Sequence, residues 1–374
     1  MKVTKEIILS SLKEVLIENT KINIVDAGIV KNIQIFDLQI DLDFEITNPT
    51  LQYKKKIEES CILEINNISN KLTVKINFIV KKAENVQKIR GENIPGVSNI
   101  IAISSAKGGV GKSTVSSNIA VSLANLGYKV GLIDADIYGP SMHIMFDLQG
   151  EVPVKIDVNG VSKIKPLENY GVKLLSLGFF AESQQAVVWR GPMASKALNQ
   201  LLWDTHWGEL DFLIVDLPPG TGDIHLSLVQ SIPVTGVLVV STPQDIALSD
   251  TRKGVNMFKL DSIDVPILGI VENMSYFTPK ELPNKKYYIF GKGGVKKVAE
   301  YMNIEMLAEF PILESVREAS DIGRPIVLQE KTPIAQEFLS LAKKLVAIIK
   351  KRNVNLPATK TVKTDNSGTP ACSS

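Results

Sequence analysis

The 374-residue sequence is poor in cysteine and histidine, with Cys61 and Cys372 the only thiols and His143, His206 and His225 the only imidazoles. Two cysteines cannot make a disulfide framework. No run of 18 apolar residues occurs, so no stretch qualifies as a bilayer-spanning helix. An excess of one charge is also missing: 42 Lys and Arg against 40 Asp and Glu leave a net +2. That balance argues against a dedicated nucleic-acid binder, which carries a basic excess. The opening residues, MKVTKEIILSSLKEV, include acidic side chains and show no signal-peptide cleavage pattern, so a cytoplasmic protein is expected. What the chain does have is a 44% hydrophobic share, ordinary for a full core. Its length suggests two or three domains at roughly 150 residues each.

Residues 1–82 read as a small α+β domain. Ile7, Ile8, Leu12, Val15 and Leu16 fall at helical spacing, and Leu38, Ile40, Leu42, Phe44 and Ile46 alternate with polar residues. KLTVKINFIV alternates in the same way through Leu72, Val74, Ile76 and Phe78. These patterns predict two half-buried antiparallel strands with a helix near residues 52–66 between them, in the order helix, strand, strand, helix, strand. Residues 83–97 carry Gly and Pro without apolar periodicity and read as a linker. Over 98–352 the texture changes: IIAIS, VGLID, FLIVD, GVLVVS and PILGIVEN are continuous apolar runs separated by helical patterns. Such runs mark parallel strands buried on both faces, so a doubly wound α/β domain with a mostly parallel sheet is expected. Residues 353–374 are polar and read as a disordered tail.

The strongest motif is AKGGVGKST, Ala106–Thr114, placed between the strand IIAIS and a helical segment. Strand, Gly-rich loop and helix N-terminus form a triphosphate cradle: Gly108, Gly109 and Gly111 let backbone N–H groups, including that of Val110, curl around phosphates, and the helix dipole favours the anion. Lys112 is expected to reach the β/γ oxygens and Ser113 to ligate Mg²⁺, with Thr114 near the α-phosphate. Asp134 and Asp136, in DADIYGPS, end another strand, where open α/β sheets bind ligands. Asp136 is open to a second reading as a helix N-cap. Asp216, ending FLIVD, takes the position of a carboxylate that holds Mg²⁺ through water.

The loop departs from the common P-loop by Ala106 and an early lysine, Lys107. In this it resembles the deviant P-loop family that includes the nitrogenase iron protein and the cell-division-positioning ATPases. The resemblance implies a homodimer in which Lys107 reaches the partner's nucleotide, Asp136 orients the attacking water and Gly220 approaches the γ-phosphate. Asn273, in VENMSYF, resembles the family's adenine-reading asparagine, although an Asn after a strand is also an ordinary turn residue. KGGVGKST, DADIYGPS, DLPPGTGD, VENMSYF, YIFGKGG and REASDIGRPIV together resemble the Mrp/ApbC branch of iron–sulfur cluster carriers. NIVDAGIV, Asn23–Val30, and the element order resemble the MIP18-like domain fused to many of them. The resemblance implies an ATP-hydrolysing homodimeric carrier that uses ATP and Mg²⁺ and passes iron–sulfur clusters to apoproteins with assembly factors as partners, without nucleic acid or membrane.

Many relatives carry a C-x-x-C pair after VENMSYF, giving two cluster ligands per subunit. Here that loop reads TPKELPNKKYYIFG, with no cysteine between Asn273 and Gly291, so the iron–sulfur ligands are not supplied there. Cys61 falls on an apolar helix face and reads as a core residue. Cys372, in the tail, is either a thiol able to reach a metal or an incidental solvated residue. The segment WRGPM, Trp189–Met193, reads as the lead into a helix. Residues 335–352, AQEFLSLAKKLVAIIKKR, place Phe338, Leu341, Leu345 and Ile348 at helical spacing and form a basic amphipathic helix that either docks on the sheet or lies on anionic lipid. The lipid reading belongs to the alternative function, a scaffold or positioning ATPase that handles no cluster.

Overall fold

The computed structural model describes residues 3–17, 22–36, 39–46, 51–69, 72–80, 94–136, 139–180, 191–222, 225, 232–260 and 263–357. The chain divides into two compact units, Met1–Glu84 with Ala124–Tyr128, and Asn85–Leu123 with Lys129–Ser374.

The first unit runs α1 (Lys5–Leu12), β1 (Val30–Phe36), β2 (Gln39–Ile46), α2 (Leu51–Asn66) and β3 (Thr73–Val80). Thr4 caps α1 by accepting the Ile7 N–H at 3.4 Å. The helix stops at Leu12, so Val15 and Leu16 lie beyond it; Val15 still reaches the core, whereas Leu16 is exposed in a bridge to Asn23. The alternation of β2 is realised, with Ile40, Leu42, Phe44 and Ile46 buried against Ile8, Leu12, Ile57 and Ile65; Leu38 is outside the described residues. One expectation is corrected. β2 and β3 pair in parallel, from Gln39↔Thr73 to Ile46↔Val80, while β1 and β2 are antiparallel. The reason is the crossover: α2 carries the chain back along the sheet before β3 begins, and a helical crossover returns a strand in the same direction. Cys61, on α2, is fully buried in this core.

The second unit is an eight-stranded sheet flanked by helices. Its strands are β4 (Val97–Ser104), β5 (Val130–Asp134), β8 (Leu167–Asn169), β9 (Val172–Ser176), β10 (Leu210–Asp216), β11 (Gly236–Ser241), β12 (Ile267–Glu272) and β13 (Met306–Glu309). β6 (Lys155–Val158) and β7 (Val161–Ile164) pair separately as a hairpin. The spatial order is β13-β12-β11-β4-β10-β5-β9-β8, and only the β8–β9 pairing is antiparallel. β5 and β11 are buried at every position, as strands covered on both faces must be. β4 begins at Val97, inside the expected linker, and Ile94 is already buried; residues 83–93 of that linker lie outside the described residues.

Five helices matter for the site and its surroundings: α3 (Lys112–Asn125), the short α4 (Met142–Met145), α5 (Gly191–Trp203), α6 (Asp245–Phe258) and α7 (Gly294–Met302). α8 (Glu314–Asp321) and α9 (Pro333–Asn355) complete the order. α5 begins within WRGPM, whose Trp189 and Arg190 are outside the described residues. The apolar face of α9 is spent on packing: Phe338, Leu341, Leu345 and Ile349 are buried, and Phe338 stacks on Phe310 with centroids 4.1 Å apart. The helix thus docks rather than offering that face to lipid, and it runs three residues into the expected tail. Ile348, placed on that face from spacing, is only partly buried, and Ile349 takes the core position. Among the described residues no helix is long and apolar enough to cross a membrane.

Burial pushes the Cys61 thiol up to about 12, which removes its thiolate at neutral pH. In a Cys372→Ser chain the remaining thiol should therefore be inert to Ellman's reagent in the native protein and react fully in guanidinium. Rapid reaction under native conditions would contradict the packing of α2.

Candidate functional site

Four strands, β4, β5, β10 and β12, deliver their C-terminal ends to one edge of the sheet, where β4 leads directly into Ser105–Gly111 and α3. The loop closes with Gly109 at φ +78° and Gly111 at φ +82°, a region that residues with a Cβ rarely adopt. Ser105 donates its hydroxyl to the Lys107 carbonyl at 3.1 Å, and its own carbonyl accepts the Gly220 N–H at 2.8 Å. Asn273, just past β12, donates from Nδ2 to the Val110 carbonyl at 2.9 Å. The loop is thereby tied to the segments that follow β10, the strand beside β4, and β12, which lies beyond β11 on the other side. It encloses a cavity of about 240 Å³ lined by Gly108–Thr114 with Asp136, Ser141 and Pro219.

At the base of the cavity lies a buried charged cluster. Lys112 Nζ is 2.7 Å from Asp216 Oδ2, 3.2 Å from Ser113 Oγ and 3.9 Å from Asp136 Oδ2. Ser113 donates to Asp216 Oδ2 at 2.7 Å, and Ser116 donates to Asp216 Oδ1 at 2.5 Å. Asp216 is fully buried, and a buried carboxylate is stable only with donors and a counter-charge of this kind. Lys112, Ser113, Asp136 and Asp216, picked from sequence, are thus brought into one cluster.

Asp134 takes a different part from its neighbour. Its Oδ2 accepts the Ser141 and Met142 N–H groups at 3.0 Å each and the Ser176 hydroxyl at 2.9 Å, and its Oδ1 accepts the Asp136 N–H at 3.2 Å. The capping reading offered for Asp136 therefore belongs to Asp134, which fixes the turn from which Asp136 faces Lys112. Burial, followed by the Asp216 charge, pushes the Asp134 carboxyl up to about 7, against these donors and Lys112.

Lys107 reaches Gln244 Oε1 at 3.4 Å, at the start of α6. His225 is buried with its ring edge against Phe258, and burial, reinforced by the Lys112 charge, pushes the imidazole down to about 4. Sequence reading missed Ser116, Ser176, Gln244 and His225 as parts of the site. Ser116 had a signal, lying one helical turn after Lys112 on the same face. Ser176 and Gln244 come from distant elements and had none. Among the described residues no group of three Cys, His, Asp or Glu side chains is arranged to hold a metal. Cys61 lies in the core of the first unit, and Cys372 is outside the described residues.

Residues 96–346 match the NUBPL iron-transfer P-loop NTPase family, and residues 5–76 match an iron–sulfur cluster assembly protein family. The chain belongs to the NUBPL-type P-loop NTPases. An iron–sulfur cluster carrier protein from Aquifex aeolicus is 40% identical over 367 residues, 92% of this chain and 98% of that protein. The iron–sulfur cluster transfer protein NUBPL of Dictyostelium discoideum is 48% identical over 68% of this chain and 77% of its own length. A solved nucleotide-binding protein from Archaeoglobus fulgidus, in complex with ADP, superposes with a TM-score of 0.56 at 34% identity, covering 66% of this chain and 93% of that one. The doubly wound fold and the small preceding domain expected from sequence agree with these matches.

Ser116→Ala removes a hydrogen bond to a buried carboxylate, worth about 1.5–3 kcal/mol, whereas Ser117→Ala removes only a bond to the Thr114 carbonyl, worth about 1 kcal/mol. Urea denaturation should show the larger loss for Ser116→Ala. Equal losses would mean that the Ser116–Asp216 bond adds nothing special.

Proposed function

We propose that the chain is an ATP hydrolase acting as a homodimer, and that it carries iron–sulfur clusters to apoproteins. The observation that carries the hydrolase reading is the convergence of Lys112, Ser113, Asp216 and Asp136 on one phosphate-sized cavity beneath a Gly-rich loop. A triphosphate in that loop gains backbone N–H donors, the α3 dipole and the Lys112 ammonium, which exchanges Asp216 for phosphate oxygens. Ser113 and Asp216 present hard oxygen donors that meet at 2.7 Å, a donor set suited to Mg²⁺. Bound there, Mg²⁺ would neutralise charge on the phosphate oxygens.

Asp136, held in place by Asp134, is the group proposed to orient the attacking water for in-line transfer, and Gly220 supplies a backbone N–H near the γ-phosphate. Lys107, now on Gln244, is proposed to move to the partner's nucleotide when two protomers close, as in the family it resembles. Asn273, its donor committed to Val110, keeps its carbonyl oxygen as the acceptor for an adenine amine. Differential affinity of the open and closed dimers for the cluster is the coupling a carrier needs. The names of the relatives support the cluster as cargo. Cys372 is the thiol proposed to meet it, with further ligands drawn from beyond the family's missing cysteine pair.

Lys112→Ala should abolish ATP turnover and lower the melting temperature, because Asp216 loses its buried counter-charge, while circular dichroism well below the melting transition remains native-like. Normal turnover in that folded variant would overturn the site. Separately, anaerobic reconstitution with iron and sulfide should load the wild type, and loss of the cluster in Cys372→Ala would place a ligand there. If neither the chain nor its complexes with apoproteins ever hold iron and sulfide, the carrier reading falls while the hydrolase reading stands.

A further inference from the structure

The turn that follows β10 has an exposed crest over a buried anchor. Pro219, Thr221 and Gly222 border solvent, whereas Pro218 and His225 are buried, His225 with 1% of its surface accessible. Backbone bonds hold the turn: the Leu217 N–H donates to the Ile103 carbonyl at 3.0 Å, the Gly220 N–H to the Ser105 carbonyl at 2.8 Å and the His225 N–H to the Gly222 carbonyl at 3.1 Å. The second of these ties the crest to the Gly-rich loop. It also sets a condition on the chemistry. The Gly220 N–H is committed to Ser105, so for Gly220 to serve a γ-phosphate the crest must leave that carbonyl.

The turn lies on α6. Gly254 and Phe258 stand four residues apart on one face of that helix. A Cβ at Gly254 would come 3.3 Å from the Ala106 Cβ and 3.6 Å from the Thr221 Cγ2, and the Phe258 ring meets the His225 ring with centroids 6.3 Å apart and planes at 62°. The glycine lets the crest and the Gly-rich loop rest side by side on the helix. The phenylalanine walls in the imidazole.

His225 carries polar capacity that this packing leaves unused. Neither ring nitrogen has a hydrogen-bond partner among the described residues. A neutral imidazole has an N–H to give and a second nitrogen to accept, and leaving both unpaired in the interior is less favourable than an apolar side chain of similar size. A buried polar group in that condition points to a role outside the resting fold. Burial pushes its pKa down to about 4; the Gly222 and Pro218 carbonyls oppose the shift and the Lys112 charge adds to it. The ring is therefore neutral near pH 7 and keeps a proton to donate. The two carbonyls lie beside the ring, short of hydrogen-bond geometry. That of Gly222 already accepts the His225 backbone N–H, which leaves Pro218 as the acceptor at hand. His225 does not line the cavity above Lys112, so it acts through the turn and not on the phosphate.

We propose that His225 is a positioning residue for hydrolysis: its ring N–H is donated to the Pro218 carbonyl when the crest leaves Ser105, and that bond holds the Gly220 N–H toward the γ-phosphate. The proposal rests on the hydrolase reading above. A bond broken at Ser105 is offset by one made at Pro218, so the two positions of the turn lie close in free energy and the charge of the nucleotide selects between them.

The test compares His225→Leu and His225→Gln with the wild-type chain by kcat, KM for MgATP and melting temperature. His225→Leu removes an unpaired polar group from the interior, so melting should be unchanged or higher. Its kcat should fall about tenfold, the equivalent of one hydrogen bond, with KM within about twofold of wild type. His225→Gln keeps a side-chain N–H and should regain most of that kcat. Wild-type kcat in His225→Leu would overturn the proposal. So would an equal loss of kcat in both variants together with lower melting, the mark of a structural residue. A second readout is the ring N–H itself in the ¹⁵N-histidine-labelled full chain, assigned by its absence from His225→Leu. Exchanging ADP for a non-hydrolysable ATP analogue with Mg²⁺ should move that signal downfield and slow its exchange with water, and an unmoved signal would contradict the bond to Pro218. If the wild-type chain turns over no ATP, the hydrolase reading falls and the proposal falls with it. If turnover is normal and only the His225 results fail, the hydrolase reading stands.

Discussion

The second unit depends on one buried negative charge. Asp216 sits at the end of β10 with no exposed surface, and an unpaired carboxylate there would cost several kcal/mol. Its partners are drawn from a single helix: Lys112, Ser113 and Ser116, on the first turns of α3. Satisfying that carboxylate therefore fixes the start of α3 against β10, and fixing α3 fixes the curl of the loop that precedes it. The same residues that stabilise the fold are those a triphosphate would recruit. A phosphate chain replaces one partner of Lys112 by another rather than demanding a new charge in the interior.

Asp134 extends this arrangement sideways. Its carboxyl gathers the N–H groups of Asp136, Ser141 and Met142 and the Ser176 hydroxyl, so the turn after β5 is built around it. Two acidic residues separated by a single alanine thus divide the work. One is consumed in holding the backbone, and the other faces the cavity with Lys112 3.9 Å away. The division is set by strand geometry, since alternate residues at a strand end point in related directions while only the first remains beneath the turn.

The loop was legible in the sequence because its signal is local: spacing, glycines and flanking elements all fall within a dozen residues. The buried strands were legible because continuous apolar runs of their length have few other uses. The split between Asp134 and Asp136 was not legible, because it depends on Ser176, a residue of β9 that sequence distance gives no reason to bring close. The direction of β3 was missed for a different reason. Alternation in β2 and β3 reports that one face is buried, and it is blind to whether neighbours run parallel; the intervening helix held that information. The edge pairing of β8 with β9 and the β6–β7 hairpin escaped because strands of three to five mixed residues carry too few apolar positions to show a period. In α9 the face was found, but helical spacing could not choose between Ile348 and Ile349.

The segment after Asn273 is braced although most of it is exposed. It carries paired backbone bonds, three lysines seated on tyrosine rings and two glycine approaches to Pro243. Rigidity of that kind in a mostly exposed stretch is not required by the core, which it does not help to bury. It is joined to Val110 at one end and, through Pro243 and Gln244, to the Lys107 side of the loop at the other. A change in how the loop holds phosphate would therefore act on both ends of this segment, because each end contacts a residue that itself bonds to the loop.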